Sequence, residues 1–301
     1  MPVDFRYHVI TLVAVFCALA IGLLIGFSMV SSPALEDQVQ TLNRKVNETI
    51  KELNSQVSTG NEFVKAVSSP LLRDRLANRQ IAIIVARPGK AAREAAQNLH
   101  AAIEQAGAQV NSVVYVQHAF YQLNEPKSTR VRDRLAEALL LDASDPEAIP
   151  ALAAGQLVED LLSGRGRAPR QLEGVEGDQL QPQLITLDNY TGPADSLVLI
   201  GGLTGSNEAP LEMLDLPIIK ACQRVEARVL ACELKEAGGS AIARYRQAKA
   251  AITVDNVDTP YGRVAAVLAL QGGRDGHFGV KEETRDSLLP PIDVSPPTAQ
   301  Q

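Results

Sequence analysis

The sequence predicts an α/β protein in three parts: an N-terminal transmembrane helix, a coiled-coil stalk, and a mainly parallel sheet domain wound in both directions. Three observations predict it. Residues 9–30 form an uncharged, mostly apolar run. Residues 34–67 carry an eleven-residue apolar repeat, and from 78 to 275 short buried strands alternate with helical stretches. With 301 residues, 46% of them hydrophobic, the chain can build one sizeable core or two small ones. The 29 Lys and Arg against 35 Asp and Glu, with no long basic run, argue against a nucleic-acid partner, because phosphate neutralisation needs clustered cations. Three Cys are too few for a disulfide scaffold, and four His with three Met offer little soft-metal capacity.

At about 1.5 Å per residue, Val9 to Val30 match a hydrocarbon core of roughly 30 Å. A cleaved signal peptide would have an apolar region of only about 7–15 residues, and Pro33 interrupts the best cleavage region. Lipid attachment at Cys17 fails because Phe16 occupies a position that processing requires to be small. Arg6 and the chain amine precede the run, whereas Glu36 and Asp37 follow it with no Lys or Arg before Arg44. Residues 1–8 are therefore expected in the cytoplasm, and everything after Val30 on the far side of the bilayer. Ala14, Ala18, Gly22 and Gly26 recur every four residues, a small-residue stripe that lets two helix backbones approach and favours a dimer.

Beyond the membrane, Leu35, Val39, Leu42, Val46, Ile50, Leu53, Val57 and Val64 form a narrow stripe on an otherwise polar helix. Leu35 and Val46, Val39 and Ile50, Leu42 and Leu53, and Val46 and Val57 are each eleven apart, a spacing that gives straight or right-handed supercoils. The expectation is a parallel homodimer whose stalk extends about 50 Å if residues 34 to 67 are helical. Packing of the stripe on the chain's own globular domain is the alternative. Ser68, Ser69 and Pro70 are expected to end the stalk.

The globular pattern then begins. Strands are expected at Ile81 to Ala86, Val110 to Val116, Leu197 to Ile200, Arg228 to Cys232 and Ala251 to Val254. Helices are expected at Pro88 to Ala106, 128–141, 146–163, Asn207 to Glu226, Ser240 to Ala248, and Pro260 to Leu270. The Gly- and Pro-rich segment 164–193 reads mainly as loop, and 281–301, with Pro290, Pro291, Pro296 and Pro297, as a poorly ordered tail. Strands separated by helices imply a doubly wound parallel sheet, Rossmann- or flavodoxin-like.

Candidate chemistry gathers at the strand ends. Gly201, Gly202, Leu203, Thr204 and Gly205 follow a strand and precede a helix, where backbone amides could hold an anion, although the spacing is not GxGxxG. Arg87-Pro88-Gly89-Lys90 does not meet the P-loop pattern either. Asp255, Asn256, Asp258 and Thr259 could hold a hard cation or touch a partner; a helix cap at Asp258 or Thr259 before Pro260 accounts for the same residues structurally. Cys222 and Cys232 are compatible with a disulfide or with two small core residues. Met213 and His277 stand isolated, with no CxxC and no His-rich tract to make a copper site. Ser206 and Ser240 sit where helices begin, an N-cap position, and there is no GxSxG elbow or HExxH, so an enzyme is not expected. Arg165, Arg167 and Arg170 make a short basic loop that reads as solvated surface.

Asp4-Phe5-Arg6-Tyr7-His8-Val9, followed by LVAVFCALAIGLLIG from Leu12 to Gly26, resembles the start of the MctB-like copper transport family. The stretch from Ile252 to Pro291 resembles that family's C-terminal signature. Together the two cover both ends of the chain. The resemblance implies an envelope protein with a role in copper transport or homeostasis, and SteB-like members imply control of cell separation through peptidoglycan hydrolases. It supplies no catalytic or copper-ligand set, so Asp255, Asn256, Asp258, Thr259, Gly276, His277 and Gly279 are signature positions only. A single apolar helix has no polar lumen. The expected role is a non-catalytic, membrane-tethered dimeric scaffold or complex subunit with an envelope protein partner and no cofactor beyond the copper the family implies. The alternative is a small-ligand receptor or enzyme using the sheet edge at Gly201, Gly202 and Asp255.

Overall fold

A computed structural model describes residues 5–30, 33–142, 144–174, 178–179, 181–203, 208–235, 239–250, 252–272, 275–281 and 286–292. The chain divides into two compact units, Met1–Glu62 and Phe63–Gln301.

The first unit is helical. Helix α1 (Phe5–Val30) contains, among the described residues, the one stretch long and apolar enough to cross a membrane, His8–Gly26, with none of it buried. A Cβ added at Gly22 or Gly26 would meet open space. Helix α2 (Pro33–Leu72) opens in this unit. Val39, Leu42, Val46, Ile50, Leu53 and Val57 are between 47% and 62% exposed, so nothing in the unit covers the stripe. Leu35 lies in α2, but its side chain is outside the described atoms.

The expected stop at Ser68-Ser69-Pro70 does not occur, because α2 runs through Pro70 to Leu72. Pro70 falls in the last turn, where it removes one helical amide bond. That loss is outweighed by apolar burial: Leu72 and Leu76 are fully buried in the second unit, and Val64 and Leu71 pack against the same core.

The second unit is built on a seven-stranded sheet in the order β3-β2-β1-β4-β5-β6-β7. Its strands are β1 (Gln80–Val85), β2 (Gln109–Val116), β3 (Ile185–Asp188), β4 (Ser196–Gly201), β5 (Arg228–Glu233), β6 (Ile252–Val254) and β7 (Gly276–Phe278). Every pairing is parallel except β2 with β3. Strand side chains alternate between two cores. Ala82 and Ile84 face one core, and Ile81, Ile83 and Val85 the other. The first core is closed by α5 (Thr129–Leu139), α6 (Ile149–Ser163), α7 (Arg167–Glu173), α8 (Leu216–Arg224) and α9 (Ile242–Gln247). The second is closed by α3 (Lys90–Gln105), α10 (Pro260–Gln271) and the last turn of α2. The short α4 (His118–Tyr121) delivers Phe120 to the first core. Both sheet faces are thus dry, which is why the strands read as continuous apolar runs.

Three further expectations need correction. Segment 164–193 contains α7 and β3. Ala168 and Leu172 bury α7, and its Ala168 amide donates to the Asp160 carboxylate at 2.7 Å, support that lies outside the segment itself. Strand β3 spans four residues, too few for alternation to register, and β2 specifies it. Helix α8 is shorter than the expected Asn207 to Glu226 and is preceded by a π turn at Leu211–Asp215; Asn207 is outside the described residues. The expected tail begins too early: the Asp286 amide donates to the His277 carbonyl at 2.8 Å, Ser287 bridges Phe278, and Leu289 packs on the core. Residues 293–301 are outside the described residues.

Candidate functional site

Parallel strands end together, and their register aligns a row of residues along the carboxyl rim: Gly201 pairs with Glu233, and one step beyond Val254 and Phe278 lie Asp255 and Gly279. Three polar clusters sit along it.

At the junction of β1 and β4, Asp215 is fully buried at the end of the π turn. Its Oδ2 accepts from Arg87 Nη2 at 2.6 Å and from the Tyr245 hydroxyl at 2.6 Å, while that hydroxyl accepts from the Gly202 amide at 2.7 Å. Burial opposes the Arg87 charge, but Asp215 more than offsets it and raises the guanidinium above its ordinary value. Burial, then the Asp215 charge, push Tyr245 well up. A Cβ at Gly201 would collide with Asp215 Oδ2 and Tyr245 Oη, so these two side chains pack directly on the Gly201 backbone. Thr204, Gly205 and Ser206 lie outside the described residues.

The second cluster is centred on Glu233, also fully buried. It accepts from the Ser240 hydroxyl at 3.0 Å, the Ala241 amide at 2.8 Å and the Lys281 ammonium.

The third is centred on Asp255. Its carboxylate accepts from the Val280 amide at 2.9 and 3.1 Å and the Lys281 amide at 2.7 Å; His277 Nε2 stands 3.3 Å from Oδ2. His277 Nδ1 lies 2.8 Å from Thr253 Oγ1. Burial pushes Asp255 up, but the His277 hydrogen bond and the two amides outweigh it and hold the group below the usual carboxylate range. Gly279 is required because any Cβ there would strike this carboxylate.

The other expected edge residues make bonds within the fold. Thr259 Oγ1 caps α10 by accepting from the Gly262 amide at 3.0 Å, and the Asp258 carboxylate accepts from the Lys235 amide at 2.8 Å. The Asn256 carbonyl accepts from the Thr259 hydroxyl, while its buried side-chain amide has no hydrogen-bond partner among the described residues. The carboxylates of Asp255 and Asp258 are bound separately and do not form a cation cage. Among the described residues no group of three or more His, Cys, Asp and Glu converges on a metal position.

The disulfide alternative is corrected as well. Cys222 and Cys232 are free thiols, buried in the two separate cores, and burial pushes Cys222 up to about 12. Arg165, Arg167 and Arg170 are exposed, the last two on α7. A groove of a different kind lies between α2, α3 and α10, with Lys65, Asn98, Gln105 and Arg263 around Leu72 and Val264.

Sequence reading named Asp255 but grouped it with Asn256, Asp258 and Thr259 instead of His277, Val280 and Lys281, and it did not single out Asp215, Glu233 or Tyr245 or give Arg87 a partner. Arg87 and Glu233 carried a usable signal: a charge immediately after a buried strand marks the rim. Asp215, Tyr245 and Lys281 carried none, since each is brought in by a separate helix or loop.

Among the described residues, the fold and rim define an α/β protein whose rim charges are paired within the chain, with one helix long and apolar enough to cross a membrane. The chain belongs to the MctB family: the family model "Copper transport outer membrane protein, MctB" matches residues 2–290. It is similar to "Copper transporter MctB" of Mycobacterium bovis, 24% identical over 306 residues that cover 92% of this chain and 96% of the relative. The proteins of that name from two Mycobacterium tuberculosis strains, CDC 1551 and H37Rv, match with the same figures.

Proposed function

We propose that this MctB-family protein serves copper transport or homeostasis as a non-catalytic subunit or scaffold, anchored by α1 with residues 1–8 in the cytoplasm and the α/β unit outside. The α/β unit is read as a doubly wound, Rossmann- or flavodoxin-like sheet, since the strand order reverses direction between β1 and β4. The observation that carries the role is a contrast in exposure. Along the described part of the rim, where such a sheet would bind a ligand, Arg87, Asp215 and Tyr245 are bonded to one another, whereas within the first unit the α2 stripe from Val39 to Val57 is uncovered.

Conduction by one chain has no physical support. One apolar helix encloses no polar path, and the sheet is an open one with apolar cores on both faces. Copper is accordingly the cargo of an assembly in which this chain takes part. The stripe supplies the means of assembly as a parallel coiled-coil pair. Finishing the burial of six half-exposed apolar side chains in each of two copies contributes roughly 10 kcal/mol, the same size as the about 4–15 kcal/mol that association costs. Anchoring both copies in one bilayer lowers that cost further. The stripe Ala14, Ala18, Gly22 and Gly26 on α1 is consistent with the same pairing.

Crosslinking of a Val46→Cys variant of the full chain in its native membrane tests the pairing; a dimer band is expected, and its absence at every oxidant level would remove it. Copper efflux from cells lacking the protein tests the cargo. Reduced efflux restored by the wild-type chain, but not by a chain lacking residues 34–67, is the expected result.

The SteB-like role, a scaffold that acts on envelope hydrolases, is the second reading. It is favoured by His277, Cys222 and Cys232, each committed to the interior and none to a shared metal position. Unchanged copper efflux together with a cell-separation defect on deletion would select it.

A further inference from the structure

The residues beside the α2 stripe repeat with it. Gln38, Thr49 and Gly60 follow one border at intervals of eleven, and Asn43 and Asn54 follow the other. All five are exposed. With a rotation of about 100° per residue, Asp37, Arg44, Lys45, Glu48, Lys51 and Glu52 all point roughly 100° or more from the centre of the stripe. Among the described side chains from Asp37 to Gly60, the charges occupy the back of the helix and both borders are neutral.

Helix pairs that select an unlike partner usually do so through charges at these border positions. Here the borders hold amides, a hydroxyl and a glycine. A partner with charged borders would have those charges desolvated against groups that cannot pair with them. A second copy brings the matching neutral set. In a parallel pair related by a twofold axis along the helices, the Asn border of one copy faces the Gln and Thr border of the other. Amides and hydroxyls both donate and accept, so either side can complete the bond.

We propose that the occupant of the stripe is a second copy of α2, parallel and in register, and that Asn43 and Asn54 facing Gln38 and Thr49 set its identity and direction. This rests on the paired-helix reading above and goes beyond it by naming the residues that choose the partner. Because no interhelical ion pair is involved, the association is insensitive to salt.

The test uses full-length chains with two different tags, co-expressed in a membrane and crosslinked through Val46→Cys on a Cys17→Ser background. One version carries Asn43→Lys and Asn54→Lys, the other Gln38→Glu and Thr49→Glu. Lys-border chains alone are expected to keep self-crosslinking, since Lys then faces Gln and Thr. Mixing the two versions is expected to give about two- to fivefold more mixed dimer than chance, an excess that fades at about 1 M salt. The unaltered borders are expected to crosslink equally at low and high salt. Lys at the back-face positions Thr41 and Ser55 serves as the control and leaves pairing random. Loss of self-crosslinking by Lys-border chains, with no excess of mixed dimer, would overturn the proposal while leaving a dimer in place, because an antiparallel pair sets each border against itself. No crosslink in any version would remove the pairing altogether.

Discussion

Ile50 and Ile83 are the same side chain in opposite circumstances. Ile50, on α2, is 50% exposed and has polar residues around it; Ile83, in the centre of β1, has no accessible surface and is enclosed by α3 and α10. The α/β unit meets its apolar requirement within the chain. The first unit does not, since its six stripe residues are all exposed and α1 is apolar and uncovered from His8 to Gly26. On the proposed reading the difference separates two tasks: folding is completed by the sheet and its helices, and assembly falls to the helices left uncovered within the first unit.

The comparison breaks most sharply at the rim. Asp215→Ala removes the only carboxylate bonded to Arg87 among the described residues and leaves a largely buried guanidinium uncompensated. A loss of about 3–5 kcal/mol in the stability of the α/β unit is expected, read as a fall in Tm by circular dichroism. A loss below about 1 kcal/mol would mean that the pair is solvated. The two isoleucines come next. Ile83→Ala is expected to cost about 2–5 kcal/mol in urea unfolding of the α/β unit, whereas Ile50→Ala stays within about 0.5 kcal/mol there and acts on crosslinking instead. Equal effects on urea unfolding would erase the division of tasks.

The smallest effect concerns pH. Asp255 is held below the usual carboxylate range, with burial opposing and the His277, Val280 and Lys281 bonds prevailing. A depressed folded value means that the unfolded chain takes up the proton first. The stabilisation is therefore complete above about pH 4 and is lost as pH falls through the folded value. The urea midpoint is expected to fall between pH 7 and pH 3, and Asp255→Asn is expected to lower it at pH 7 and narrow the difference. An Asp255→Asn chain that keeps the full difference would assign the acid sensitivity elsewhere.

Legibility in the sequence followed the range of the interactions involved. The apolar run, the eleven-residue stripe and the strands β1, β2, β4, β5 and β6 were readable because each is set by local periodicity or by an unbroken run of Val, Ile, Leu and Ala. Thr259 and Pro260 could be read as a helix start for the same reason, and the cap is there. Strands β3 and β7 were not readable: β3 is only four residues long, and β7, unlike the equally short but mostly apolar β6, reads Gly-His-Phe, so neither carries a local strand pattern and each is paired at a neighbour's edge. Pro70 shows the opposite error. There a local breaker is overridden by Leu72 and Leu76, whose burial in the distant core carries the helix past it.

By itself the sequence determined the order of parts: an apolar helix, an amphipathic helix whose stripe repeats every eleven residues, and an alternation of strands and helices that must form a parallel sheet. Those properties depend on hydrophobic period and length, which neighbours in the chain carry. Only the tertiary structure decided that the charges along the rim are paired within the chain. Arg87, Asp215 and Tyr245 come from three separate elements, as do Glu233, Ser240 and Lys281, and their charges are settled by distances that no spacing along the chain encodes. The same holds for Cys222 and Cys232, ten positions apart in sequence yet assigned to opposite cores because a sheet lies between them.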